Sequence, residues 1–228
     1  MQKQRSSKSA SEVLGTTVPL DIAARSQRQR IIAAMVEICA EKTFSATTIA
    51  DIVGRANISR TTFYKHFADK RACFDAALED CIDRLREVAV AARAPTDTPP
   101  QAVRKATAAI LELLAARPDL AQVALGEAVS VDPAVVARYR EMVIPALEGC
   151  WTAAGEEMRG SSDPRIAFGR VQILLFEQIS AGKAKRLPAL LPEIVYIAVL
   201  PFAGHEEALR QARLTSEGQA DPATARGR

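Results

Sequence analysis

An all-α fold is predicted by three observations on the 228-residue chain. Ala, Leu, Val, Arg and Glu recur while β-branched alternation is scarce. Apolar residues return every three or four positions rather than every second one, and prolines stand where successive helices would begin. Apolar residues make up 48% of the chain and aromatics 5%, so its core is mostly aliphatic. The length is enough for one large domain or two modest ones.

Residues 1–20 are polar, rich in Ser and Lys, and aperiodic, which predicts a disordered basic tail. A first helix is expected from Asp21, a possible N-cap, to about Lys42–Thr43. Ile31, Ile32, Met35, Val36, Ile38 and Cys39 make its buried face. A second begins at Thr47 or Thr48, with Asp51 three residues after Thr48 in a capping-box position. Ile49, Ile52, Val53 and Ala56 are its inner face. Asn57 follows, a residue that tolerates the left-handed conformation ending many helices. Ser59 caps a third short helix over residues 60–67, and Asp69 opens a long fourth helix to about Ala92.

The stretch Ala94 to Pro100 marks a break. Beyond it Pro100, Pro118, Pro133, Pro164 and Pro192 suggest helices near 100–117, 118–129, 133–159, 164–181 and 190–210, with Pro145 kinking the third. The expected organisation is a head over 21–85, a helical body over 86–213, and a flexible tail over 214–228.

Several classes of function are disfavoured. Cys39, Cys73, Cys81 and Cys150 show no paired spacing, and only His66 and His205 accompany them, so no metal is expected and the thiols read as free. No nucleophile elbow, P-loop, dinucleotide fingerprint or Glu-x-x-His motif is present, so no cofactor is expected either. Neither a signal-peptide core nor a bilayer-spanning run is read, which leads to the expectation of a cytoplasmic chain with no membrane partner. Residues 1–70 carry 11 Lys/Arg against 6 Asp/Glu, a balance of +5, while the remainder is at −2. A basic head on a slightly acidic body suits a polyanion partner for the head alone.

Two short helices joined by a tight turn over 48–67 form a helix-turn-helix, whose second helix fits the DNA major groove. Arg60, Thr61 and Thr62 lie at the N-terminal end of that helix. A guanidinium at Arg60 can bond guanine O6 and N7 together, while Thr61 and Thr62 suit phosphate or a thymine methyl. Phe63 and Phe67, four apart, belong to the core. Tyr64, Lys65 and His66 lie on the other side, with Lys70 just beyond, as donors for phosphate.

Phe44, Thr47-Thr48-Ile49, Asp51-Ile52-Val53, Ala56-Asn57-Ile58-Ser59, Thr62-Phe63-Tyr64, His66-Phe67 and Lys70 stand in a specific order. On these residues the run from about Arg25 to Leu85 resembles the DNA-binding domain of the TetR family of transcriptional regulators. There are three departures from the family pattern. Asn57-Ile58 replaces Gly-Val in the turn, Thr61 replaces a glycine, and Ala50 stands where a polar base contact is common. The resemblance implies that Thr48, Arg60, Thr61, Thr62, Tyr64, Lys65, His66 and Lys70 form the DNA-contact set.

It also implies a homodimer on a pseudo-palindromic operator in double-stranded DNA, joined through the last two long helices, about 164–181 and 190–210. Repression is the family's commoner mode, with activation as the alternative, and an unidentified small-molecule effector would shift the spacing of the two heads. Tyr139, Met142, Trp151, Phe168, Gln172 and Phe176 are candidates for its pocket, although such residues are more often plain core or dimer interface. Glu127 and Arg138 are polar candidates as well, although an exposed or paired role is the commoner one for such residues. Competing readings are a helical-bundle enzyme, and a scaffold whose basic head docks on an acidic protein.

Overall fold

The computed structural model describes residues 20–131 and 164–219. Every regular element among them is helical. The predicted helix over 133–159, with Pro145, lies outside the described residues, as do Tyr139, Met142, Trp151, Arg138 and Cys150.

The head is built from α1 (Leu20–Lys42), α2 (Ile49–Ala56) and α3 (Arg60–His66), with α4 (Lys70–Ala91) leading out of it. The helix begins at Leu20, so Asp21 lies inside it rather than capping it. All six apolar residues assigned to the face of α1 are buried, and they pack with Ile52, Phe63, Phe67, Cys73 and Phe74 in one core. Apolar residues three and four apart leave one side of each helix unsolvated, and three such sides closing on each other bury all of them.

The body begins with α5 (Pro99–Ala116), whose first turn holds Pro99 and Pro100, where a missing N–H costs nothing. After Arg117 the chain continues as α6 (Pro118–Ala121), a π-helical turn (Gln122–Glu127) and α7 (Ala128–Val131). The expected plain helix over 118–129 is therefore interrupted by a wider turn. Val123, Ala124, Leu125, Gly126 and Glu127 are all buried in sequence, which a helix exposed on one side cannot achieve. This turn packs against α1, α4 and α8 (Pro164–Ser180) at once.

Helix α8 ends in a left-handed Gly182 at φ 69°, with Lys183 N–H on the Gln178 carbonyl and Gly182 N–H on that of Ile179. A 3-10 segment (Ala184–Leu190) then leads into α9 (Leu191–Gln219). Helix α9 bends at Gly204, whose φ of 76° and ψ of 177° belong to a region that only glycine occupies without strain. Pro201 precedes the bend and supplies no N–H to the helix ladder.

The helix reaches Gln219, nine residues past the expected end and through the first part of the expected tail. Thr215 explains part of the extension: its side chain is buried and its hydroxyl returns to the Ala212 carbonyl.

Contrary to expectation, one stretch, Ala184–Thr215, is long and apolar enough to cross a membrane by length and composition. In this fold 39% of its apolar window is buried; Leu187, Ile194, Val195, Val199, Phe202 and Ala208 are among the buried residues of the stretch, and α9 packs mainly on α5. Gln211, fully buried, accepts from Arg104 Nε of α5 at 2.9 Å and donates to Glu207 at 2.9 Å, which satisfies its amide.

Candidate nucleic-acid interface

The turn between α2 and α3 is built by two caps. Thr48 Oγ1 accepts from Asp51 N–H at 3.2 Å and donates to Asp51 Oδ2 at 2.8 Å, while Thr48 N–H reaches the same oxygen at 3.0 Å. At the other end Asn57 is left-handed, at φ 51° and ψ 56°. Its N–H bonds the Gly54 carbonyl, and Ile58 N–H bonds that of Val53, closing the helix as a Schellman motif. Ser59 then caps α3, its Oγ accepting from Thr62 N–H at 3.0 Å. Phe63 is fully buried with its ring 5.8 Å from that of Phe67, and this pair fixes which side of α3 faces outward.

The charges of the head divide into two sets. Arg55 bonds Glu37 at 2.9 Å and both oxygens of Glu41, and these carboxylates, Glu41 foremost, hold its guanidinium more firmly protonated than usual. Lys42 bonds Asp51 at 2.8 Å, and that contact, with the Thr48 hydroxyl and amide, lowers the Asp51 carboxyl from 3.8 to about 2. Arg28 lies over the Phe67 ring at 5.2 Å. Arg60 and Lys65, by contrast, are exposed and have no hydrogen-bond or ion-pair partner among the described residues. Thr61 is exposed beside them, and Tyr64 is 52% exposed with its ring edge-on to Phe63. One short helix thus presents two open cations, a hydroxyl and a phenol on the side opposite its buried phenylalanines.

The remaining residues of the expected set are placed differently. Thr62 is half-buried and shares a 2.9 Å contact with Ser59 Oγ, and His66 Nε2 stands 3.5 Å from Gln27 Oε1. The single hydroxyl proton of Thr48 is given to Asp51, which leaves no side-chain donor for a phosphate. The Lys70 ammonium turns inward, donating to the carbonyls of Phe44 at 2.9 Å and Thr47 at 2.8 Å. In this arrangement the Thr48 and Lys70 side chains are engaged within the head. Sequence spacing gave no warning of this, because the α1–α2 loop whose carbonyls bind Lys70 has no periodicity.

Residues 31–77 match the family model described as bacterial regulatory proteins, tetR family. The head therefore carries a tetR-type DNA-binding domain. The fold of the chain is similar to that of several solved proteins. The fatty acid degradation regulator FadR from Bacillus halodurans superposes with a TM-score of 0.67 at 17% identity, over 78% of this chain and 95% of that one. The transcriptional regulator FadR from Bacillus subtilis, solved with stearoyl-CoA, gives 0.62 at 21% identity, over 77% and 98%. A gamma-butyrolactone receptor, an ArpA-like protein, gives 0.56 at 21% identity, over 85% and 99%. The sequence matches none of the curated proteins.

In the body, Phe168, Gln172 and Phe176 fall at four-residue intervals on α8 and are half-buried. Phe168 packs against the main core. The thiols of Cys39, Cys73 and Cys81 are free and buried, and burial pushes them up to about 11, 12 and 12, which leaves them unreactive at neutral pH. Glu127, weighed from sequence as a pocket anchor or as an exposed or paired residue, is buried and paired, its Oε2 accepting from Phe44 N–H of the head at 2.7 Å.

Proposed function

We propose that this regulator is a homodimeric, ligand-released repressor that binds a pseudo-palindromic operator with one α3 per half-site. The observation that carries the reading is the division of charge in the head. Lys42, Arg55 and Lys70 are used internally, while Arg60 and Lys65 stand open on the helix that the motif presents. An unpaired guanidinium at the start of a groove-entering helix is suited to guanine, and an unpaired ammonium one turn on is suited to phosphate. Thr61 and Tyr64 complete the open surface, with Thr62 and His66 at its margin. The head over 21–85 reads DNA and the body over 86–213 decides when it does so.

Support for the dimer comes from α8 and α9. Ile166 and Ile173, seven apart on α8, are 57% and 60% exposed, and Leu214 on α9 is 40% exposed. Residues seven apart share a helix face, and a second copy supplies what would cover it. Two relatives bear on the effector: one is solved with stearoyl-CoA, and another is named a gamma-butyrolactone receptor. Both compounds are natural first probes for a body whose core is aliphatic, with Phe168, Gln172 and Phe176 as its candidate contacts. A protein with this task acts in the cytoplasm.

The test is selection of bound fragments from genomic DNA, followed by footprinting of the recovered site. A two-fold related footprint, lost on adding an effector, is expected. Fragments without any shared sequence would overturn the operator reading.

A further inference from the structure

The loop between α1 and α2 is held in an unusual conformation by residues from far along the chain. Thr43 has a φ of 77°, a strained value for a β-branched residue. Such strain persists where surrounding contacts over-determine it. Here Thr47 Oγ1 donates to the Thr43 carbonyl at 2.7 Å, and Lys70 binds the carbonyls of Phe44 and Thr47. The Phe44 ring packs at a tilt against that of Phe74, with centroids 4.6 Å apart. The remaining contact crosses from the body: Glu127, 6% exposed, accepts from Phe44 N–H at 2.7 Å.

Glu127 closes the π-helical turn Gln122–Glu127, which touches α1, α4 and α8. A π turn contains one residue more than an α turn, so it rotates the residues after it by about 100° from where plain α geometry would point them. The direction of the Glu127 carboxylate therefore depends on that turn keeping its wider form.

We propose that Glu127 is the positioning residue through which the body sets the seat of the DNA-reading head. The carboxylate pins the Phe44 amide, the pinned loop keeps the carbonyls that anchor Lys70, and Lys70 begins α4. Conversion of the π turn to α geometry withdraws the carboxylate and frees the loop at whose end α2 begins. The inference rests on the chain's reading as a DNA-binding regulator that its body controls.

Hydrogen exchange on the full chain, read on peptides covering 43–47 with α4 as internal reference, tests it together with affinity for a genomically selected fragment. In the wild type the Phe44 amide exchanges slowly. Glu127→Ala is expected to speed exchange at 43–47 by roughly tenfold while α4 is unchanged, and to weaken DNA affinity severalfold. Glu127→Gln keeps an acceptor and should behave as wild type. Glu127→Asp keeps the charge but shortens the reach, so it should resemble Glu127→Ala while disturbing the fold less.

Fast exchange at Phe44 in the wild type would overturn the proposal. So would a freed loop with unchanged DNA affinity in Glu127→Asp, or loss of protection throughout the chain in both Glu127→Asp and Glu127→Gln. If the wild type retains no DNA while its loop is protected, the regulator reading fails and not the contact.

Discussion

The Lys70 ammonium lies 4.4 Å over the Phe44 ring and donates to the carbonyl of the same residue at 2.9 Å. One cation thus serves as a cap for the α1–α2 loop and as a partner for its aromatic side chain. A half-buried ammonium so engaged has given up its hydration and gained fixed partners, and extracting it to reach a phosphate would reverse both.

Lys65 and Lys70 should therefore separate in one pair of measurements. Lys65→Ala is expected to weaken binding to all DNA sequences and to lower the salt slope of log affinity by about one. Lys70→Ala should leave the slope near its wild-type value but lower the unfolding free energy by roughly 1–3 kcal/mol, since it orphans inward-facing carbonyls. Denaturant unfolding and binding at several salt concentrations check both. A reduced slope in Lys70→Ala would show that this lysine reaches a phosphate.

Arg60 is the residue proposed to read the base sequence. Arg60→Ala is expected to cost roughly 1–3 kcal/mol on the selected site and to relax preference at one base position. Affinity measured on a panel of single-base operator variants decides it. An unchanged profile would move the base contact elsewhere.

The capping box of α2 should show in the acid limb of stability. The Lys42 ammonium, then the Thr48 hydroxyl and amide, lower the folded Asp51 carboxyl from 3.8 to about 2. A depressed folded value means that the contribution is present in full above about pH 4 and is lost as pH falls through about 2. Asp51→Asn should thus melt below the wild type at pH 7, with the difference closing as pH drops to 2. Paired melting curves from pH 7 to pH 2 test this, and a gap that stays constant with pH would exclude Asp51 as its source.

The exposed isoleucines of α8 give the proposed dimer a direct check. Ile173→Glu puts a charge on a face that a second copy would cover, where an unpaired carboxylate is costly. Sedimentation should find the wild type as a dimer and the variant shifted to monomer at micromolar concentration. A variant as dimeric as the wild type would place the interface on another face.

What the sequence determined by itself was local. The period of Ile31 to Cys39 and of Cys73 to Leu85, the hydroxyl and carboxylate caps at Thr48, Ser59 and Asp69, and the left-handed Asn57 all act within one or two helical turns. Short-range rules of spacing and hydrogen bonding therefore suffice to read them. The head and its open Arg60 and Lys65 followed from such signals.

Only the tertiary structure decided which cations were already spoken for, because Lys70 meets carbonyls 23 to 26 residues away and Glu127 meets an amide 83 residues away. The π turn belongs to the same class. Its wider geometry is selected by packing against three helices at once, and no local propensity favours it over the plain helix that the sequence suggests. The motif was legible from its own residues; the contacts that seat it on the body depend on where distant segments meet.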